Sequence, residues 1–335
     1  MGDFKYYIAR RLLTFVPTLL GVIVITFIIS HLVPALPAKG AFARHMNPQT
    51  LALIKKMYHL DQPWYIQLWL YICDLFTGNW GTSIVTSRPI LKELSIYFPV
   101  TFQLAILGEF FILVAGIPLG IAAAMRNNTK LDQAIRVLSV IGYSVPYFLL
   151  AIAFQMIFYY WLGWLPGFGL GRKPRVVYTG MYLFDSILCG DWGAFVDNFL
   201  HFLLPSISLA TPGAAVIARL MRGSLLDTLS ADFIDYCRMK GLPERVIMVK
   251  HALKNAIIPI ITVAGLQFGG LLGGAIITET IFAIAGLGRY LVVSTYAMDY
   301  PVIMAGTFLI GLVYLIVNFV VDLLYAYVDP RVRLT

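Results

Sequence analysis

Residues 235–259 read DYCRMKGLPERVIMVKHALKNAIIP. Arg238, Lys240, Arg245, Lys250 and Lys254 charge this stretch, a Gly-Leu-Pro divides it, and oily sequence lies on both sides. Phe233, Tyr236 and Cys237 recur at helical spacing, with Asp232 and Asp235 near the start and Arg238 and Lys240 at the end. That charge order complements a helix dipole. Gly241 suits the left-handed position just past a helix end, and Pro243 suits the first turn of a new helix. Val246, Val249 and Leu253 then form one stripe. The spacing predicts a short helix, a sharp turn and a second amphipathic helix that ends near Pro259.

The chain around it has 335 residues, 59% hydrophobic and 13% charged. Soluble domains carry about a quarter charged residues. With a mean hydropathy of +0.80, the composition is that of an all-α, polytopic membrane protein. The net charge of +8 does not point to nucleic acid, because the basic residues are spread over short loops and form no patch. Cys73, Cys189 and Cys237 lie far apart, and the five histidines are scattered, so neither pattern resembles a metal site.

A membrane-crossing helix needs about 20 mainly apolar residues. Six segments qualify: 12–31, 101–125, 137–161, 199–218, 257–281 and 302–326. The first follows Lys5, Arg10 and Arg11 and is too long for a signal-peptide core, so it reads as an uncleaved anchor. With both termini in the cytoplasm, the inner segments 1–11, 126–136, 219–256 and 327–335 carry 15 of the 25 Lys and Arg in 69 residues. The outer segments carry 10 in 126 residues. Positive charge is then far denser inside, as topology rules require, and the 235–259 stretch is cytoplasmic.

The outer segment 32–100 holds Tyr58, Trp64, Tyr65, Trp69, Tyr71, Phe76 and Trp80. Short interfacial helices and a small packed subdomain both fit that composition. Cys73 and Cys189 would both face outward, where a disulfide between them is chemically permitted. In the fifth span Gly265, Gly269 and Gly273 recur at spacing four and permit close helix packing, within the chain or against a partner. Pro118, Pro146, Pro205 and Pro212 each remove a hydrogen bond inside a span. Glu109, Glu279 and Asp322 place carboxyls within spans, at a cost of at least about 2.5 kcal/mol each at mid-membrane. Glu109 sits deepest and is the best-placed to face a water-filled path, although a buried hydrogen-bonding role fits as well.

No lysine is followed by Ser or Thr, so there is no P-loop, and there is no HExxH motif. The sequence offers no catalytic set and no cofactor site of its own. The charged stretch then has two readings: a basic helix resting on anionic membrane lipid, or a docking element for a cytoplasmic partner.

Several segments together resemble the permeases of binding-protein-dependent ABC importers, in the B-type dipeptide/oligopeptide branch. DFIDYCRMKGL (232–242) and KHALKNAIIP (250–259) are similar to that family's EAA-type motif. YIARRLLTFVPTLLGV, HLDQPWYIQ, GNWGTSIVTSRPI, GIPLGIAAA, GYSVPYF, LGWLPGFG, HFLLPSISL, AIITETIF, AGLGRYL, DYPV and VDLLYAYVDPR follow in family order along the whole chain. Cys237 and Met239 depart from the small residues usual in the motif, Gln103 stands where the branch often has Glu, and Ile284-Ala285 replaces the common Trp-Pro.

The resemblance implies a six-helix permease of the type I ABC importer fold. Residues 1–31 would be tail and first helix, 32–96 an extracytoplasmic segment, and 97–328 a five-helix core. The core's coupling segment would span 222–256, and 329–335 would be the C-terminal tail. It implies a second, C-type permease subunit, two ATPases that bind ATP and Mg, and an extracytoplasmic substrate-binding protein. Asp232, Tyr236, Cys237, Arg238, Met239, Lys240, Gly241, Leu242 and Arg245 would couple to the ATPases. Gln103, Glu109 and Glu279 are the expected path residues. The branch implies peptides first, with oligosaccharides or nickel chelates as alternatives. An ion-coupled secondary transporter would call for inverted repeats, which the sequence lacks.

Overall fold

The computed structural model describes residues 2–32 and 62–328, with side chains over 10–28 and 62–323. Tyr58, the rest of 33–61 and the tail 329–335 lie outside the described residues. Five helices there are long and apolar enough to cross a membrane, and a bent pair makes a sixth candidate.

The long helices are α1 (Gly2–Leu32), α3 (Ile90–Met125), α7 (Trp192–Leu229), α9 (Ile258–Ile281) and α11 (Tyr300–Val328). Between them lie α2 (Trp64–Thr77), α4 (Lys130–Ser144), α5 (Tyr147–Phe154), α6 (Tyr182–Leu188), α8 (Asp232–Met239) and α10 (Leu287–Tyr296). Helices α3 and α7, of 36 and 38 residues, extend well beyond the expected spans. At 1.5 Å per residue each is about 55 Å long, beyond the roughly 30 Å of a hydrocarbon core. Pro118 in α3, and Pro205 and Pro212 in α7, sit inside unbroken helices.

Pro146 acts differently. The third span expected at 137–161 is not one rod: α4 and the helix that begins at Tyr147 meet at 97°. The pyrrolidine ring disfavours helical geometry at the preceding residue, and Val145 is extended at φ −81, ψ 122. Beyond the break, α5 continues as a π-helix over Gln155–Trp161.

The core forms where α3 and α7 interlock. A Cβ on Gly116 would lie 2.8 Å from Ile217, and one on Gly120 would lie 2.6 Å from the Ala218 carbonyl and from Met221. Leu104, Ile112, Ile217, Met221 and Leu225 are fully buried around this contact. Helix α9 packs antiparallel to α11, with Gly265 against Val321 and Gly269 against Tyr314. Gly273, the third of the expected series, meets nothing within 4 Å, so the packing stripe covers two of its three glycines.

Helix α1 lies on α11, with Val22 beside Gly311, Phe15 near Phe319, and Arg11 paired to Asp322 at 3.2 Å. These contacts place the described start and end of the chain on the same side as residues 230–257. Helix α2 is the described helical part of the aromatic segment. Leu68, Tyr71, Ile72 and Leu75 pack with Ile23 and Phe308, while Trp64, Tyr65, Trp69 and Phe76 are exposed. It is a packed helix with an aromatic outer face. Cys73 and Cys189 are free thiols.

Candidate functional site

The stretch 232–257 folds as the hairpin that its spacing predicts. Helix α8 is capped by Lys240, and Gly241 turns the chain at φ +74. The Gly241 amide donates to the Arg238 carbonyl at 2.9 Å, and the Leu242 amide donates to the Cys237 carbonyl at 3.3 Å. These bonds satisfy carbonyls that a helix end leaves free. Pro243 caps the next helix rather than entering it. The Arg238 guanidinium donates to Glu244 at 3.0 Å and to Asp235 at 3.1 Å. Those hydrogen bonds, Glu244 first, hold it above the usual arginine range. The result is a side-chain staple across the turn.

The second arm differs from its expected register. It is α-helical over Glu244–Val246 and Leu253–Ala256, but π-helical over Ile247–Ala252. A π-turn bonds i to i+5, so Ile247, Ala252 and Ala256 share the buried face. Val249, expected in the apolar stripe, is 60% exposed. Helix α8 also turns differently. Ile234 is its buried anchor, Cys237 packs on the core beside it, and Phe233 and Tyr236 are exposed.

The expected coupling residues therefore separate into two sets. Cys237 and Leu242 face the chain's own core. Asp232, Tyr236, Arg238, Met239, Lys240, Gly241 and Arg245 are on the outer surface, with Met239 78% exposed and Lys240 Nζ 4.5 Å from the Tyr236 ring centroid. The face combines aromatic, thioether and cationic groups on a hydrogen-bonded turn.

The expected path residues make no hydrogen bond to one another. Glu279 is fully buried, accepting from the Thr101 hydroxyl and, at 2.9 Å, from the Arg289 amide. The carboxylate sits at the N-terminus of α10, where the helix dipole favours it. Gly286 leaves room for it, since a Cβ there would strike this carboxylate, and a Cβ on Gly288 would strike Ile276 and crowd the carboxylate at 3.0 Å. Gln103, also fully buried, accepts from the Leu183 amide at 2.9 Å and ties α6 to α3. Glu109 alone of the three makes no hydrogen bond, and both its carboxyl oxygens are enclosed by the helices.

Sequence reasoning missed a second group of buried carboxyls. Asp299 accepts from the Ser83 hydroxyl and from the Ile84 and Val85 amides, each at 3.2 Å. Glu93 accepts from Thr86 and from the Tyr290 hydroxyl. They fix the 82–89 loop at the end opposite the hairpin. Asp299 lies more than two hundred residues from its three partners, and Tyr290 lies 197 residues from Glu93, so no local spacing reveals these bonds.

The fold is a polytopic helical bundle with an exposed polar hairpin at one end. Residues 116–334 match the family described as the inner membrane component of binding-protein-dependent transport systems, and residues 4–105 match that family's N-terminal region. The dipeptide transport system permease protein DppB of Alkalihalophilus pseudofirmus is 41% identical over 98% of this chain and 99% of its own. The probable D,D-dipeptide permease DdpB of Escherichia coli is 42% identical over 93% of each chain. The glutathione permease GsiC of Salmonella choleraesuis is 38% identical over 98% of each. An inward-facing structure of the MetNI methionine ABC transporter shares the fold, with TM-score 0.56 and 19% identity over 73% of this chain and 100% of that one.

The chain belongs to the inner membrane component family of binding-protein-dependent transport systems. It is a multi-pass permease subunit of an ABC importer and is not the ATPase. ATPase and binding-protein partners follow from that membership.

Proposed function

We propose that this permease imports di- and oligopeptides, pairing with a second, C-type permease subunit to form the path. Two ATPases dock at the hairpin end, which faces the cytoplasm with both chain termini. An extracytoplasmic binding protein delivers substrate at the other end. ATP and Mg are held by the ATPases. Nucleotide binding closes the ATPase pair, and the hairpin carries that motion into the helices, so that access alternates between the two sides.

The observation that carries the coupling role is the two-sided hairpin. Ile234, Cys237 and Leu242 hold it to the core, while Tyr236, Met239, Lys240 and Arg245 are exposed on its outer face. Lys and Arg density supports the orientation. The peptide assignment is supported by relatives named for dipeptides and glutathione.

The test is uptake by vesicles containing the complete complex with its binding protein. A labelled dipeptide should accumulate only with ATP inside the ATPase compartment. Accumulation driven by an ion gradient without nucleotide, or transport of nickel chelates or oligosaccharides but no peptide, would overturn the reading.

A further inference from the structure

Asp132 begins α4 and is fully buried. The Arg222 guanidinium, from α7, grips it as a fork: Nε donates to one carboxyl oxygen at 2.6 Å and Nη2 to the other at 2.8 Å. The Asn128 amide donates to Asp132 at 3.0 Å, and Arg136 stands 3.6 Å away on the next turn. Arg222 Nη2 also donates to Asn127 at 2.9 Å. Two residues further along α7, the Ser224 hydroxyl donates to the Ala256 carbonyl at 2.9 Å. Ala256 ends the hairpin's second arm. One turn of α7 therefore holds α4 through Arg222 and the coupling arm through Ser224.

Elsewhere α4 meets α7 through small, apolar contacts, with Gly142 close to Thr211 and Ala215. It buries only Asp132, Ile135 and Ser139, while Val137, Leu138, Val140 and Ile141 are exposed. Near its far end, Arg219 lies 5.1 Å over the Tyr143 ring, and then comes the 97° break. Apolar contacts between helices can slide, whereas a bidentate arginine–carboxylate pair sets both distance and angle.

We propose that the Asp132–Arg222 pair is a positioning joint that makes the bent α4–α5 pair follow the hairpin, with the flexing left to Val145–Pro146. This rests on the coupling role of the hairpin. In the transport cycle the turn at 222–224 moves as one body with the arm, and α4 is carried by the fork. Without the fork, the hairpin still moves with its ATPase but α4 lags.

The experiment compares Asp132→Asn, Arg222→Lys and Gly241→Asp in the reconstituted complex, measuring assembled yield, ATP hydrolysis and peptide taken up per ATP. Arg222→Lys keeps the charge and removes the fork, so it serves where Asp132→Asn fails to assemble. Both joint variants should assemble and hydrolyse ATP while uptake per ATP falls about tenfold, the scale of one charge-assisted hydrogen bond. Spin labels at Val137 and Val249 should keep a single separation through the nucleotide cycle in the parent and show a spread in the joint variants. Unchanged uptake per ATP, or a loss that tracks yield alone with the label distance intact, would sink the joint. If Gly241→Asp also leaves uptake per ATP unchanged, the hairpin reading itself has failed. If Gly241→Asp uncouples and the joint variants do not, only the joint is wrong.

Discussion

Cys237 and Met239 are two residues apart on one short helix and face opposite ways. Cys237 packs on the core, and Met239 is 78% exposed. Both depart from the small residues usual in the EAA-type motif, and the fold gives the two departures different consequences. Cys237 alters how the hairpin sits on its own bundle; Met239 alters what the partner meets. Cys237→Ala should lower the thermal stability of the detergent-solubilised permease by about 1 kcal/mol and leave ATPase affinity near its parent value. Met239→Ala should leave stability alone and weaken ATPase association about tenfold, the loss of one well-packed interface side chain. Titration of purified ATPase onto each variant, alongside melting curves, checks both; reversed effects would mean the helix is turned the other way.

At the scale of elements, glycine position decides close packing. Gly120 and Gly273 are equally small, but a Cβ on the first would press on the Ala218 carbonyl and a Cβ on the second would meet nothing. Gly120→Ala should push α3 and α7 apart and cost about 1–3 kcal/mol. Gly273→Ala should leave the isolated permease at its parent melting temperature. Equal losses from both would show that α9 packs differently. The spacing-four pattern of the fifth span was legible in the sequence, but it named Gly273 along with Gly265 and Gly269. Only the placement of α11, with Val321 and Tyr314 on it, selects the two that pack. The arm's π-turn has the same moral. Reading 246, 249 and 253 as a stripe assumes an α-helical period throughout, and the π-turn moves the buried face to Ile247, Ala252 and Ala256.

Across the whole molecule, the hairpin and the Arg11–Asp322 pair share one end, and the 82–89 loop with its buried carboxyls occupies the other. The proposed orientation makes a direct prediction. In a chain freed of its native cysteines, Met239→Cys should react with a membrane-impermeant thiol reagent only from the cytoplasmic side. A cysteine at Val85, which is 53% exposed on the opposite loop, should react only from outside. The opposite pattern would invert the topology and with it the site of ATPase docking.

The sequence by itself determined what is local or cumulative. Apolar runs of sufficient length set the helices, Lys and Arg density set the expected sidedness, and Asp232–Met239 followed by Gly241 and Pro243 set a helix and its turn. Each depends on residues within a few turns of one another. Tertiary structure alone decided the rest. It turned Cys237 inward and bent the third span at Pro146, while Pro118, Pro205 and Pro212 stayed inside unbroken helices. It placed Glu279 on the start of α10 and brought Asp132 to Arg222 across ninety residues. A charged group buried in a bundle is stabilised by whatever partner the fold delivers to it, and the distance along the chain to that partner leaves no periodic trace.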